Sequence, residues 1–279
     1  MAVRQRRAVA AALAALLLAG AVACGSGSGG KPEPSPASAT PSALATPTDR
    51  SPHGVLLSAQ LAMHTARRAK FSYRLGTDSA TGMLFWAPKT VLQLKRPDDT
   101  EQLIVLDTTA YRGGDLATAS RLGGRHWEKY ATAPGADGQR EVPYAGLVDR
   151  LNPVVALTAA VAAGAPVLVG EEKLDESTVE HYRVNVTVEA YAAAQTQLTG
   201  ARRQALQAAL GKGGVSLLTL DLWLNDKDQL VQLRRTGAGA GARLDDTVVY
   251  GEFAGALSVQ APAESDTVDV GTRSLPPAP

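Results

Sequence analysis

The sequence predicts an α+β domain: a wide, curved antiparallel sheet, or half-barrel, with helices covering its concave face. Three observations predict it. Strand-length apolar runs follow one another through short turns, as hairpin-linked strands do. Helical segments lie before and between these runs without the regular βαβ alternation of a parallel sheet. Residues 178–188 alternate cleanly, with Tyr182, Val184, Val186 and Val188 on one face and His181, Arg183, Asn185 and Thr187 on the other, the period of a strand with one buried side.

The first 23 residues are not part of that fold. Arg4, Arg6 and Arg7 precede an apolar run over residues 8–18, and small residues lead to Cys24. A basic start, a short apolar stretch and small residues before a cut form a secretory signal peptide. A membrane-spanning helix needs about twenty apolar residues, and here Cys24 and Gly-Ser repeats come sooner. Ala21-Val22-Ala23-Cys24 resembles the lipobox of bacterial lipoproteins, in which the cysteine is acylated and becomes the mature N-terminus. That resemblance implies Cys24 as the lipid-attachment site and anchoring on the extracytoplasmic face of the cell membrane. Arg6-Arg7 lacks the rest of a twin-arginine signal, so Sec export is expected. The alternative is ordinary cleavage near Ala23, which leaves a free thiol.

Residues 24–52 read as a tether. Residues 25–30 are Gly and Ser, and prolines stand at 32, 34, 36, 41, 47 and 52, a composition that cannot bury a core. The folded domain is placed at residues 53–271, with a short tail over 272–279. Residues 54–69 read as an amphipathic helix with Val55, Leu57, Ala59, Leu61 and Met63 near one side. Strands follow at 70–76, 81–87, 90–96 and 101–107, with a short one at 110–111 and a closing one at 126–130. Asn152-Pro153 opens a helix that Gly164 ends. Strands at 167–174 and 178–188 precede a helical stretch over 189–210, broken at Gly200. The last strands are 216–224, 229–235 and 247–253, the first two joined by the Asn225–Asp228 turn, with a short one near 267–270.

Composition excludes several functions. One cysteine forbids an internal disulfide, a cysteine-built zinc site and a CxxC redox pair. The formal net charge of +1 offers no footprint for nucleic acid. Removing residues 1–23 takes it to −2 with the loss of three arginines. His53, His64, His126 and His181 are scattered, and no HExxH or GxSxG motif accompanies them. Glu171-Glu172 and Asp245-Asp246 are adjacent strand residues that point to opposite faces. No enzyme, cofactor or metal site is expected. The GxGxxG-like stretches at 25–30 and 237–242 do not follow a strand and open a helix, so they do not indicate a dinucleotide. Arg183, Arg234 and Arg235 read as solvated charges.

Several strands are more apolar than a one-sided sheet needs. Met83, Phe85, Leu92, Leu94, Leu103, Val105, Val184, Val186, Leu218, Leu220 and Leu222 are the residues expected to line the concave face. On periodicity alone, packed core explains them without a ligand.

The order of short motifs resembles the LppX/LprG-type envelope lipoproteins. His126-Trp127-Glu128-Lys129-Tyr130 is similar to that family's G-x-W-x-K closing segment. Leu151-Asn152-Pro153 opens a helix, and Val169-Gly170-Glu171 leads to His181-Tyr182-Arg183-Val184. Leu220-Asp221-Leu222-Trp223-Leu224 then precedes an Asn-Asp turn. The resemblance runs from about Val55 to Val270. It implies a LolA-like half-barrel with a hydrophobic cavity, binding a lipid or glycolipid as carrier or chaperone and performing no catalysis. RseB-like sensor or scaffold lipoproteins, which regulate a protein partner, are similar in fold and form the alternative. The 189–210 helical stretch and the 237–241 loop depart from the family pattern.

Overall fold

A computed structural model describes residues 49–277, except 98–100, 136–137, 139, 242 and 254. Cys24, the signal segment and most of the tether lie outside the described residues.

The elements in chain order are α1 Pro52–Ala66, β1 Arg68–Leu75, β2 Asp78–Phe85, β3 Val91–Lys95, β4 Gln102–Leu106, β5 Thr109–Gly113, α2 Leu116–Arg121 and β6 Trp127–Ala131. There follow α3 Ala145–Leu151, α4 Pro153–Ala163, β7 Val167–Leu174, β8 Ser177–Thr187, α5 Val188–Ala193 and α6 Gly200–Leu210. The chain ends with β9 Leu217–Leu224, β10 Leu230–Ala238, β11 Arg243–Gly251 and β12 Thr267–Gly271. Among the described residues the twelve strands form one open, curved sheet in the order β12-β6-β5-β4-β3-β2-β1-β11-β10-β9-β8-β7. Every pair is antiparallel except β12 with β6. The α+β class expected from the sequence is what the chain forms.

Helix starts follow local chemistry. Ser51, Asp115, Asn152, Thr187 and Thr199 each accept a hydrogen bond from a backbone N–H of the first turn of α1, α2, α4, α5 and α6, satisfying donors that have no partner within the helix. Order reaches back into the stretch read as tether: Arg50 donates to both Asp228 carboxylate oxygens, at 2.9 and 3.1 Å, and α1 begins at Pro52. Beyond β12, Arg112 Nη1 donates to the Pro277 carbonyl at 2.8 Å.

Three readings need correction. In α1 the buried apolar side chains are Val55, Leu56, Ala59 and Met63, whereas Leu57 and Leu61 are exposed; at about 100° per residue those two leucines fall on the opposite side of the helix. The break in the 189–210 stretch spans residues 194–199, and Gly200 opens α6 rather than interrupting a helix. Helices α2 and α3 form in segments to which the sequence reading assigns no element. The 237–241 loop begins inside β10, and its glycines are steric: a side chain at Gly237 would meet Val215 and Leu217, and one at Gly239 the backbone of Gly213 and Gly214.

The core lies between the inner face of the sheet and the helices. Register places Tyr182, Leu222, Leu233, Val248, Tyr73 and Ala80 side by side across β8, β9, β10, β11, β1 and β2. Leu84, Leu92, Val105, Ala110 and Tyr130 continue such a row toward β6. Helix α4 packs against β8, β10, α1, α3 and α5, and its buried residues Val154, Val155, Ala156, Leu157, Ala159 and Ala160 cover much of its surface.

The outer face carries ion pairs. Arg234 Nε donates to Asp245 Oδ1 at 3.0 Å, and that hydrogen bond is the main cause holding the Asp245 carboxyl below its ordinary value. A depressed carboxyl contributes stability that is fully present above its unfolded value of about 4 and lost as pH falls through the folded value. Thermal midpoints measured from pH 7 down to pH 3 should therefore decline below about pH 4, and Asp245→Asn should decline less steeply. An identical pH profile in the variant would show that Asp245 contributes nothing.

Candidate functional site

The inner face of the sheet is where the expected ligand-lining residues were placed, and most of them are there. Leu92, Leu94, Leu103, Val105, Leu218, Leu220 and Leu222 are completely buried, and Val184 and Val186 nearly so. A water-sized sphere touches none of the first seven, so in this structure the face is filled by its own side chains and the helices. Five surface clefts are lined by residues other than these nine.

Met83 and Phe85 are a correction. Antiparallel pairing puts Leu84 opposite Ala69 and Leu92 on the inner face, so Met83 and Phe85 point outward by strand alternation. Phe85 lies under the Arg68 guanidinium, 5.8 Å from ring centroid to Cζ, and helps line an outer cleft with His64 and Pro88.

The inner face also holds a charged cluster that sequence reasoning missed. Arg235, read as a solvated charge, is 1% exposed, as is Asp246. They are cross-strand partners on β10 and β11, flanked by Leu220 on β9 and Leu75 on β1. Arg150 of α3 donates Nη2 to Asp246 Oδ2 at 2.7 Å. Arg235 Nη2 lies 3.5 Å from the same oxygen and donates to the Arg150 carbonyl at 2.7 Å. Arg235 Nη1 donates to the Tyr191 hydroxyl of α5 at 3.3 Å. The Tyr250 hydroxyl donates to the Leu151 carbonyl at 2.8 Å, and burial pushes its ionisation far upward. The signal was present in the alternation: Arg235 shares its face with Leu233, and Asp246 shares its face with Val248 and Tyr250.

Adjacent carboxylates on β11 should therefore respond differently. Asp246→Ala leaves two guanidiniums facing each other in the core and should cost about 3–5 kcal/mol. Asp245→Ala, at a partly exposed outer pair, should cost about 1 kcal/mol or less. Urea unfolding of both variants checks the contrast, and equal losses would contradict this assignment of faces.

The histidines sit apart from this cluster. His181 stacks on Trp223, centroids 4.3 Å apart, with its ring nitrogens 2.7 Å from Glu172 Oε1 and 2.8 Å from Asp221 Oδ1. Trp223 Nε1 donates to Glu172 Oε2 at 2.8 Å; this bond, then that of His181, lowers the Glu172 carboxyl. The set staples β7, β8 and β9 on the outer face. His126 Nδ1 lies 2.8 Å from Asp266 Oδ1, and His64 is exposed on α1. Among the described residues no group of three or more His, Cys, Asp or Glu is placed to hold a metal ion, and no single helix is long and apolar enough to cross a membrane.

Two solved mycobacterial structures are similar to this chain. LprF from Mycobacterium bovis is 14% identical, with 76% of this chain and 97% of that one covered and a TM-score of 0.48. Lipoprotein LppX from Mycobacterium tuberculosis is 9% identical, with 73% and 94% covered and a TM-score of 0.41. In sequence the chain is similar to an uncharacterized 31.2 kDa protein in the rplA-rplJ intergenic region of Streptomyces griseus, 28% identical over 158 residues. The match covers 55% of this chain and 51% of that protein, so the chain spans about half the length of this curated relative. No protein-family profile matches the sequence.

Proposed function

We propose that the protein is a lipoprotein anchored through Cys24 to the extracytoplasmic face of the cell membrane. Its domain binds a lipid or lipidated molecule between the curved sheet and the helices, as carrier or chaperone and without catalytic turnover. The observation that carries this reading is the largely apolar inner face, which runs from β9 across β11 and β1 to β4, interrupted by the Arg235–Asp246 pair, beneath a roof of separate short helices. Short helices joined by loops can shift over such a face, and acyl chains can replace the side-chain contacts that fill it. The lipobox and tether supply the address and the reach.

Native mass spectrometry of the full chain purified from its own membranes, followed by lipid extraction, tests the reading. Lipid is expected to copurify in stoichiometric amount, and stripping it should lower the thermal midpoint. Protein without lipid, whose midpoint does not change on delipidation, would overturn the carrier role. One observation favours a second reading, a sensor or scaffold acting on a protein partner: the interior is filled, while Val167, Leu168 and Val169 are exposed on the edge strand β7, a surface on which another chain can add.

A further inference from the structure

The Arg150–Arg235–Asp246 cluster is out of balance in two ways. Two guanidiniums share one carboxylate, a surplus of one positive charge. The neighbouring Asp149 does not offset it, because that carboxylate is taken by Arg202. Three buried polar atoms of the cluster also have no hydrogen-bond partner: Arg150 Nε, Arg235 Nε and Asp246 Oδ1. Packing does not explain such a set, since aliphatic side chains of similar volume serve a core at least as well. Buried donors without acceptors are costly, and native interiors seldom leave them so.

We propose that this cluster recognises an anionic oxyacid group, phosphate or carboxylate, on the molecule bound between sheet and helices. The proposal rests on the lipid-binding reading. Two guanidiniums with free Nε–H groups suit two oxygens of one anion. The free Asp246 oxygen is an acceptor, which suits a hydroxyl beside that anion. The anion also neutralises the surplus charge.

The way in is at α3. Arg150 keeps 24% of its side chain exposed while Asp246 keeps 1%, so the cluster meets solvent there. Helix α3 is the one α-helix among the described residues whose first turn has no side-chain cap. It starts on Tyr144 at φ 55°, ψ 31°, a left-handed conformation that strains a side-chain-bearing residue. It meets α4 at 64° across Asn152. Of the roof helices, α3 is the one least fixed by its own end.

The test uses the delipidated full chain in neutral detergent with three probes: dioleoylglycerol, dioleoylphosphatidylglycerol and inorganic phosphate. The variants are Arg150→Met and Arg235→Met. The unmodified protein is expected to bind the phosphatidylglycerol about tenfold or more tightly than the diacylglycerol. Both variants should bind the two lipids alike. Arg150 is partly exposed, so its variant carries the test if the Arg235 variant fails to fold. Equal affinity for the two lipids in the unmodified protein, or a preference that survives Arg150→Met, overturns the head-group assignment and leaves the lipid-binding reading standing. Binding of phosphate alone, lost in Arg150→Met, supports an anion site and overturns the lipid-binding reading. Binding of none of the three overturns both.

Discussion

Leu220→Arg is expected to leave the domain unfolded at room temperature. Leu220 is 0% exposed and stands between Val184 and Arg235 on the inner face. Losing a leucine from such a site costs about 3–5 kcal/mol. A third guanidinium in this cluster, where Arg150 and Arg235 already share the one carboxylate of Asp246, costs several more. The sum rivals the whole stability of a typical domain, about 5–15 kcal/mol. Leu217→Arg is the control, because that leucine begins the same strand exposed to solvent and its replacement should change stability by about 0.5 kcal/mol or less. Circular dichroism and urea unfolding of the two variants decide the matter. A folded Leu220→Arg protein of ordinary stability would mean that the inner face holds open space rather than close packing.

Cys24→Ser is expected to release the protein from the membrane completely. Each buried methylene contributes about 0.8 kcal/mol, so two or more acyl chains hold a protein stably where one holds it marginally. Electrostatics does not replace that hold: without residues 1–23 the formal net charge is −2, which gives no attraction to anionic lipid. Fractionation of cells, with a salt wash of the membranes, measures it. Serine protein retained in washed membranes would rule out acylation as the anchor.

How much of this was legible in sequence depended on whether a segment carried its own phase. Strands β8 and β9 did over most of their length: residues 181–187 alternate polar with apolar, Thr219 and Asp221 separate leucines, and Leu218, Leu220, Leu222 and Leu224 all lie where that period puts them. The run Met83-Leu84-Phe85-Trp86 has no phase of its own, because every position is apolar. Pairing with Ala69 and Leu92 decides which residue faces inward, and that is tertiary information. Helices α2 and α3 span six and seven residues, too few turns for a 3.6-residue period to register. Arg235 was misread for a different reason. A charge is ordinarily solvated, and composition outweighed the alternation that put Arg235 beside Leu233. The charged cluster of the inner face was thus written in the pattern of β10 and β11 but hidden by the usual behaviour of its residue types.

The pairing of β1 with β11 has a consequence for how the chain is made. Strands β1 to β5 form a meander of neighbours, and β7 to β11 form another, so each half can assemble from nearby residues. The seam between them joins Phe71 to Tyr250, from opposite ends of the domain, and closing a loop of that length comes late. A chain emerging N-terminus first therefore presents β1 as an open hydrogen-bonding edge, with Phe71 and Tyr73 uncovered, until nearly the last strand has arrived. Truncations that stop before residue 243 should accumulate as aggregates or chaperone-bound species, while those that stop after β11 should not.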